Sequence, residues 1–177
     1  VPVADPPHRT QPMSDGALRL RMVEAAIRDE PGFVAEDREL KRSGVSSTID
    51  TLASFRAELP GRSLCLLLGM DAFLGLPHWR RWRDLTTLAH IVVAHRPGWE
   101  VPTTGTLGEL LRDLRAPSVA ELHSKAAGFI HVQPVTQLEI SSTDLRDSLR
   151  AGRDPKFLVP DSVREIIIET ECYAEPL

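Results

Sequence analysis

Ser141, Ser142, Thr143 and Arg146 bring three hydroxyls and a guanidinium into six consecutive residues. An apolar run, Phe129-Ile130-His131-Val132, lies a short way upstream, and the spacing predicts that a new helix begins at the hydroxyls. A helix start offers unpaired backbone N–H groups and the positive end of the helix dipole. With hydroxyl donors and a cation one turn in, it suits an anion, most naturally phosphate. The same residues also make an ordinary Ser/Thr N-cap followed by a surface arginine. On this stretch alone both readings stand.

The elements that would position these groups alternate along the chain. Leu64-Cys65-Leu66-Leu67-Leu68 is a continuous apolar run, expected as a strand buried on both faces, and Ile91-Val92-Val93-Ala94 is a second. Phe33-Val34-Ala35 reads as a short strand. Helical spacing covers residues 17–29 and 107–127, and short helices are expected at 72–76 and 79–85. Ser47-Thr48-Ile49-Asp50 has capping-box form and opens a helix to about Glu58, which Pro60-Gly61 stops. Two C-terminal helices are expected near 143–150 and 161–171, with Gly152 at the end of the first and Pro160-Asp161 opening the second. Such alternation implies an α/β fold, a Rossmann-like doubly wound parallel sheet with a C-terminal helical portion. Ligands on such sheets bind beyond the carboxyl ends of the strands. Polar motifs fall there four times: Pro6-Pro7-His8-Arg9 after Val1-Pro2-Val3, Gly69-Met70-Asp71 after Leu68, Arg96 after Ala94, and Ser141 after the 129–132 run. That rim is the expected active site.

A length of 177 residues suits one domain with a real core. The formal net charge of −4 argues against broad nucleic-acid or acidic-membrane binding, so phosphate recognition should be local. No apolar run is long enough to cross a bilayer, and the first residues lack a signal-peptide pattern. Cys65 and Cys172 match no metal or redox spacing; Cys65 is expected as a small buried hydrophobe. A cytoplasmic location is the simplest expectation. The histidines at 78, 90, 95, 123 and 131 show no ligand spacing, so no metal site is expected.

Taken in order, several motifs resemble the bacterial nicotinate-nucleotide adenylyltransferases. They are Pro6-Pro7-His8-Arg9, Arg19-Leu20-Arg21-Met22, Glu39-Leu40-Lys41-Arg42, Ser46-Ser47-Thr48-Ile49-Asp50-Thr51-Leu52, Gly69-Met70-Asp71-Ala72, Leu76-Pro77-His78-Trp79, Arg96-Pro97-Gly98, and Ile140 to Arg146 with Leu158-Val159-Pro160. Each is weak, whereas the ordered set is specific. Members of that family begin with a strand carrying Gly-Gly-x-Phe-Asp-Pro-x-His-x-Gly-His, which nothing here matches. The resemblance therefore implies that a strand–helix unit of roughly 30 or more residues is missing ahead of Val1.

The resemblance implies adenylyl transfer from ATP to nicotinate mononucleotide, with Mg²⁺ arriving on ATP. His8 and Arg9 would lie beside the phosphates, and Ser141, Ser142, Thr143 and Arg146 would hold the ATP phosphates. Asp71 would accept the ribose hydroxyls, although a helix N-cap is physically as reasonable. Trp79 would stack on the pyridine ring, the competing reading being a core tryptophan paired with Trp82. Thr48, with backbone N–H groups near it and near Arg80, would recognise the nicotinate carboxylate. Arg96 would contact a phosphate or the nucleotide, or else form a structural ion pair. Arg19 would reach the mononucleotide phosphate, with Arg21 and Arg28 as competitors. Two rival readings stay open: an enzyme using nicotinamide mononucleotide or phosphopantetheine as acceptor, and a non-catalytic nucleotide-binding protein. The oligomeric state is also open, a homo-oligomer included.

Overall fold

The computed structural model describes residues 14–95, 98, 100–136 and 140–173. Among them are eight α-helices: α1 (Gly16–Ala26), α2 (Arg38–Lys41), α3 (Thr48–Glu58), α4 (Met70–Leu74), α5 (Leu85–Leu88), α6 (Gly105–Leu114), α7 (Ser142–Arg150) and α8 (Asp161–Thr170). Three strands accompany them: β1 (Cys65–Gly69), β2 (His90–His95) and β3 (Ile130–Pro134). The chain forms two compact units, one of residues 47–137 and one of residues 1–46 with 138–177.

The first unit holds an open, fully parallel sheet in the order β1-β2-β3. Parallel neighbours require crossover connections, which α4 with α5 and then α6 supply. Ile91 sits opposite Leu66 on one side and Ile130 on the other. Met70, Phe73, Leu76, Leu85, Ile91 and Ile130 are fully buried and form the heart of the core. His90 is buried with them at the entrance to β2. Its Nδ1 accepts the Phe129 N–H at 2.9 Å, so Nε2 carries the proton and donates to the Lys125 carbonyl, also at 2.9 Å.

Arg56 orients α3 against this sheet. Its guanidinium donates to the carbonyls of Leu59, Arg62, Leu88 and Ala126, the last two preceding β2 and β3. The carboxyl-terminal half of α3 is thus riveted to the amino ends of the strands. Thr48, eight residues back and about 12 Å along the axis, starts the helix at its opposite end.

The second unit packs α1 on α8. Ala25, Val163, Ile166 and Ile167 are buried there, with Leu18, Met22 and Leu149 against them. Asp15 caps α1 by accepting the Leu18 N–H at 2.7 Å. Gly152, at φ +72°, closes α7: its N–H reaches the Leu149 carbonyl and the Arg153 N–H reaches Ser148. Only glycine adopts that left-handed turn without strain.

Several expectations need correction. The 64–68 run does form a strand, but β1 is covered on one face only: Leu68 is buried while Leu67 is 74% exposed. Cys65, expected in the interior, is exposed. The cause is the face: on the central strand β2 too, Val92, opposite Leu67, is less buried than Ile91 and Val93 beside it. Phe33-Val34-Ala35 is irregular, with Phe33 65% and Val34 84% exposed; no described strand lies beside it to complete a ladder. The expected 107–127 helix ends at Leu114. Arg115 turns extended to bridge Ile130, the Ala116 N–H bonds the Ile130 carbonyl, and Pro117 forbids resumption. A short 3₁₀ turn at Ala120–His123 is all that follows. Residues 79–85 are not one helix: 3₁₀ turns at Leu76–His78 and Trp82–Asp84 flank a left-handed Arg81.

Candidate active site

In the sheet unit the carboxyl end of β1 runs straight into α4 through Gly69. Asp71 stands in the first turn of α4, exposed, and Gly69 rather than Asp71 occupies the N-cap position. The N-cap alternative for Asp71 is therefore not realised. A Cβ on Gly69 would meet Asp71 Oδ1 at 2.5 Å, so the carboxylate folds back over the glycine. A side chain at position 69 would meet this carboxylate and no backbone, and the φ of −69° is ordinary.

The two tryptophans differ in burial. Trp82 is buried in the core, with the Arg83 guanidinium 4.4 Å from its ring centre. Trp79 is only half-buried, closing the 3₁₀ turn at Leu76–His78 by donating its N–H to the Leu76 carbonyl. Trp79 also packs against the core that holds Trp82, so the reading of it as a core tryptophan paired with Trp82 stays beside the stacking one.

Arg80 links this turn to α3. Its Nη1 donates to Asp50 Oδ2 at 2.6 Å and to Ser47 Oγ at 3.1 Å. Ser47 Oγ in turn donates to Asp50 Oδ2 at 2.6 Å. Ser47 holds the N-cap position of α3 with extended backbone, yet its hydroxyl caps no N–H of the helix. Half-buried Thr48, the first residue of α3, stands beside this cluster. Thr48, Trp79 and Arg80 are thus neighbours, at the end of α3 opposite Arg56. The sequence offers Asp50 only as the last member of a capping box. No local signal announces that its partner lies 30 residues on.

In the helical unit Ser141 is the N-cap of α7. Its Oγ accepts the Asp144 N–H at 3.0 Å and donates to Asp144 Oδ2 at 2.6 Å. Ser142 and Thr143 are exposed, and Arg146 is half-buried with Nη2 3.3 Å from Thr143 Oγ1. Hydroxyl and guanidinium therefore share one face of the first turn. Arg19 donates to the carbonyl of Ser14. Arg21 pairs with Glu169 at 2.7 Å, and Arg28 lines a groove of about 510 Å³ between α1 and α8. His8, Arg9 and Arg96 lie outside the described residues.

A cavity of about 680 Å³ opens beside His95 and Pro134 at the carboxyl ends of β2 and β3. Val101, Pro102, Leu111 and Arg112 line it; Thr48, Asp71, Trp79 and Arg80 do not. Among the described residues no three His, Cys, Asp or Glu side chains gather as a metal cage. No helix among them is long and apolar enough to cross a membrane.

An open parallel sheet with helical crossovers is an architecture common among nucleotide-binding α/β proteins. Residues 1–148 match the cytidylyltransferase-like family model. A protein of Methylococcus capsulatus named "Probable nicotinate-nucleotide adenylyltransferase" is 43% identical over 176 residues, 99% of this chain and 84% of its own length. One of the same name from Aeromonas hydrophila is 45% identical, over 95% of this chain and 78% of its own length. The fold also matches Plasmodium falciparum nicotinic acid mononucleotide adenylyltransferase complexed with NaAD, at a TM-score of 0.63 and 16% identity. That likeness covers 93% of this chain and 78% of the other. The chain belongs to the nicotinate-nucleotide adenylyltransferases, within the cytidylyltransferase-like family.

Proposed function

We propose that this protein transfers the adenylyl group of ATP to nicotinate mononucleotide, releasing pyrophosphate in NAD biosynthesis. The observation that carries the reading is the 43% identity extending over 99% of the chain to a relative of that name. An acceptor phosphate oxygen attacks the α-phosphorus in line. The bond from that phosphorus to the α–β bridging oxygen breaks, and pyrophosphate leaves with the electron pair. No protein nucleophile is required, so the chain's task is positioning and charge stabilisation.

On this reading Ser141, Ser142, Thr143 and Arg146 hold the ATP phosphates, and Asp71 accepts ribose hydroxyls. Trp79 stacks on the pyridine ring, while Thr48 and backbone N–H groups near it and Arg80 receive the nicotinate carboxylate. Amide N–H groups at a helix start favour a carboxylate over a neutral amide. His8, Arg9 and Arg19 keep the phosphate-binding roles that the resemblance implies, and Arg96 its contact with a phosphate or the nucleotide. Mg²⁺ enters as part of the ATP substrate, on phosphate oxygens and water.

Steady-state assays of pyrophosphate release test the reading with ATP and either nicotinate or nicotinamide mononucleotide. Preference for the acid by about tenfold or more in kcat/KM is expected. Equal use of both defeats the specificity assignment. ATP binding by calorimetry without turnover favours a binding protein instead.

A further inference from the structure

The tie between Arg80 and the start of α3 carries a role for a residue that the reaction itself does not name. Arg81 adopts φ 51°, a left-handed conformation that a non-glycine residue reaches only when its surroundings impose it. Three anchors impose it here. Trp82 is buried in the core on one side, Arg81 Nε pairs with Asp84 Oδ2 at 2.8 Å, and Arg80 is gripped by Asp50 and Ser47. The first seats the turn on the core that Ile49 and Leu52 of α3 also enter, and the second acts within the turn. The third is the polar tie from the turn to the start of α3, where Thr48 stands.

Resting on the reading above, we propose that Asp50 is a positioning residue for the mononucleotide. By holding Arg80 it fixes the Trp79–Arg81 turn against the first turn of α3. Asp50 thereby sets the gap between the Trp79 ring and the N–H groups that receive the acceptor's carboxylate. The arrangement also solves an electrostatic problem. An aspartate one turn from a carboxylate-binding helix start would repel the substrate unless neutralised, and Arg80 neutralises it. Ser47 takes part by spending its hydroxyl on Asp50 rather than on the helix, which leaves the first N–H groups uncapped by that side chain.

Both partners are partly exposed, with side-chain accessibilities of 58% for Arg80 and 34% for Asp50. Such pairs contribute little to stability, so the effect should be read in substrate kinetics rather than in unfolding. Asp50→Ala should raise KM for nicotinate mononucleotide about tenfold, with kcat and KM for ATP held within about twofold. Asp50→Asn retains an acceptor for Arg80 and should recover most of that loss. Arg80→Ala, which also leaves the Asp50 carboxylate bare, should be impaired at least as much as Asp50→Ala, and the double variant should be no worse than Arg80→Ala, because both break one link. Trp79→Ala serves as the reference for the acceptor site.

An unchanged or lowered acceptor KM in Asp50→Ala, with Trp79→Ala impaired, overturns the positioning role and leaves the function intact. Additive effects of Asp50→Ala and Arg80→Ala overturn it too. If Trp79→Ala leaves the acceptor KM unchanged as well, the placement of the acceptor site fails and takes the proposal with it.

Discussion

Two helices of this protein begin on nearly the same residues and use them differently. Ser47-Thr48-Ile49-Asp50 starts α3, and Ser141-Ser142-Thr143-Asp144 starts α7. In both, the serine hydroxyl donates to the aspartate carboxylate at 2.6 Å. At α7 that hydroxyl also accepts the Asp144 N–H, and the cap is closed by local residues. At α3 it does not cap; instead it joins Asp50 in binding Arg80. The signature Ser-x-x-Asp therefore sets where a helix begins but not which donors remain for a ligand. A distant arginine decides that.

Substitutions can break this contrast at its strongest point first. If the α7 start holds ATP, Arg146→Ala should lower kcat about 100-fold with little change in acceptor KM, as expected for a lost transition-state cation. Trp79→Ala should do the reverse, raising acceptor KM about tenfold and sparing ATP. Steady-state kinetics with each substrate varied in turn checks both. Parallel effects of the two substitutions on both substrates would erase the division of labour between the two helix starts.

The sequence foretold the two helix starts better than their surroundings. Local signals act over a few residues, and capping, the Gly152 stop and the apolar runs of β2 and β3 all lie within that range. Failures came where a distant group decides. Leu67 and Cys65 are as apolar as any strand residue, but burial depends on which face of the sheet is covered, and composition does not reveal that. Helical spacing past Leu114 lost to a backbone bridge with Ile130. The glycine–aspartate turn was legible as chemistry, whereas its reason, a carboxylate lying where a Cβ would be, required coordinates. Trp79 and Trp82 are three residues apart and indistinguishable by type; only packing separates the half-buried ring from the core one.

Smaller effects sharpen the comparison. Ser141→Ala removes a working cap and should destabilise by about 1 kcal/mol, whereas Ser47→Ala, which removes no cap, should fall within about 0.5 kcal/mol. Denaturant titration of both variants decides the point, and equal losses would show that the caps are alike after all. Gly69→Ala should raise KM for ATP a few-fold with little change in stability. The added Cβ displaces only the exposed, flexible end of Asp71.

The smallest effect concerns how α7 is fixed beyond its far end, where α3 has Arg56 and its row of carbonyls. Past Gly152, Asp154 receives a two-pronged Arg164 guanidinium from α8, Nε at 2.6 Å and Nη2 at 2.5 Å. That fork, helped by the Lys156 N–H, holds the Asp154 carboxyl below its ordinary value of 3.8. The folded form thus binds this proton less readily than the unfolded chain does. Its stabilisation is complete above about pH 4 and fades as pH falls through the lowered value. Thermal unfolding of the protein and of Arg164→Gln should differ slightly at neutral pH and converge below pH 4. The Asp154 resonance should return toward the ordinary titration midpoint in the variant. A difference that instead grew on acidification would mean that the fork does not anchor the turn after α7.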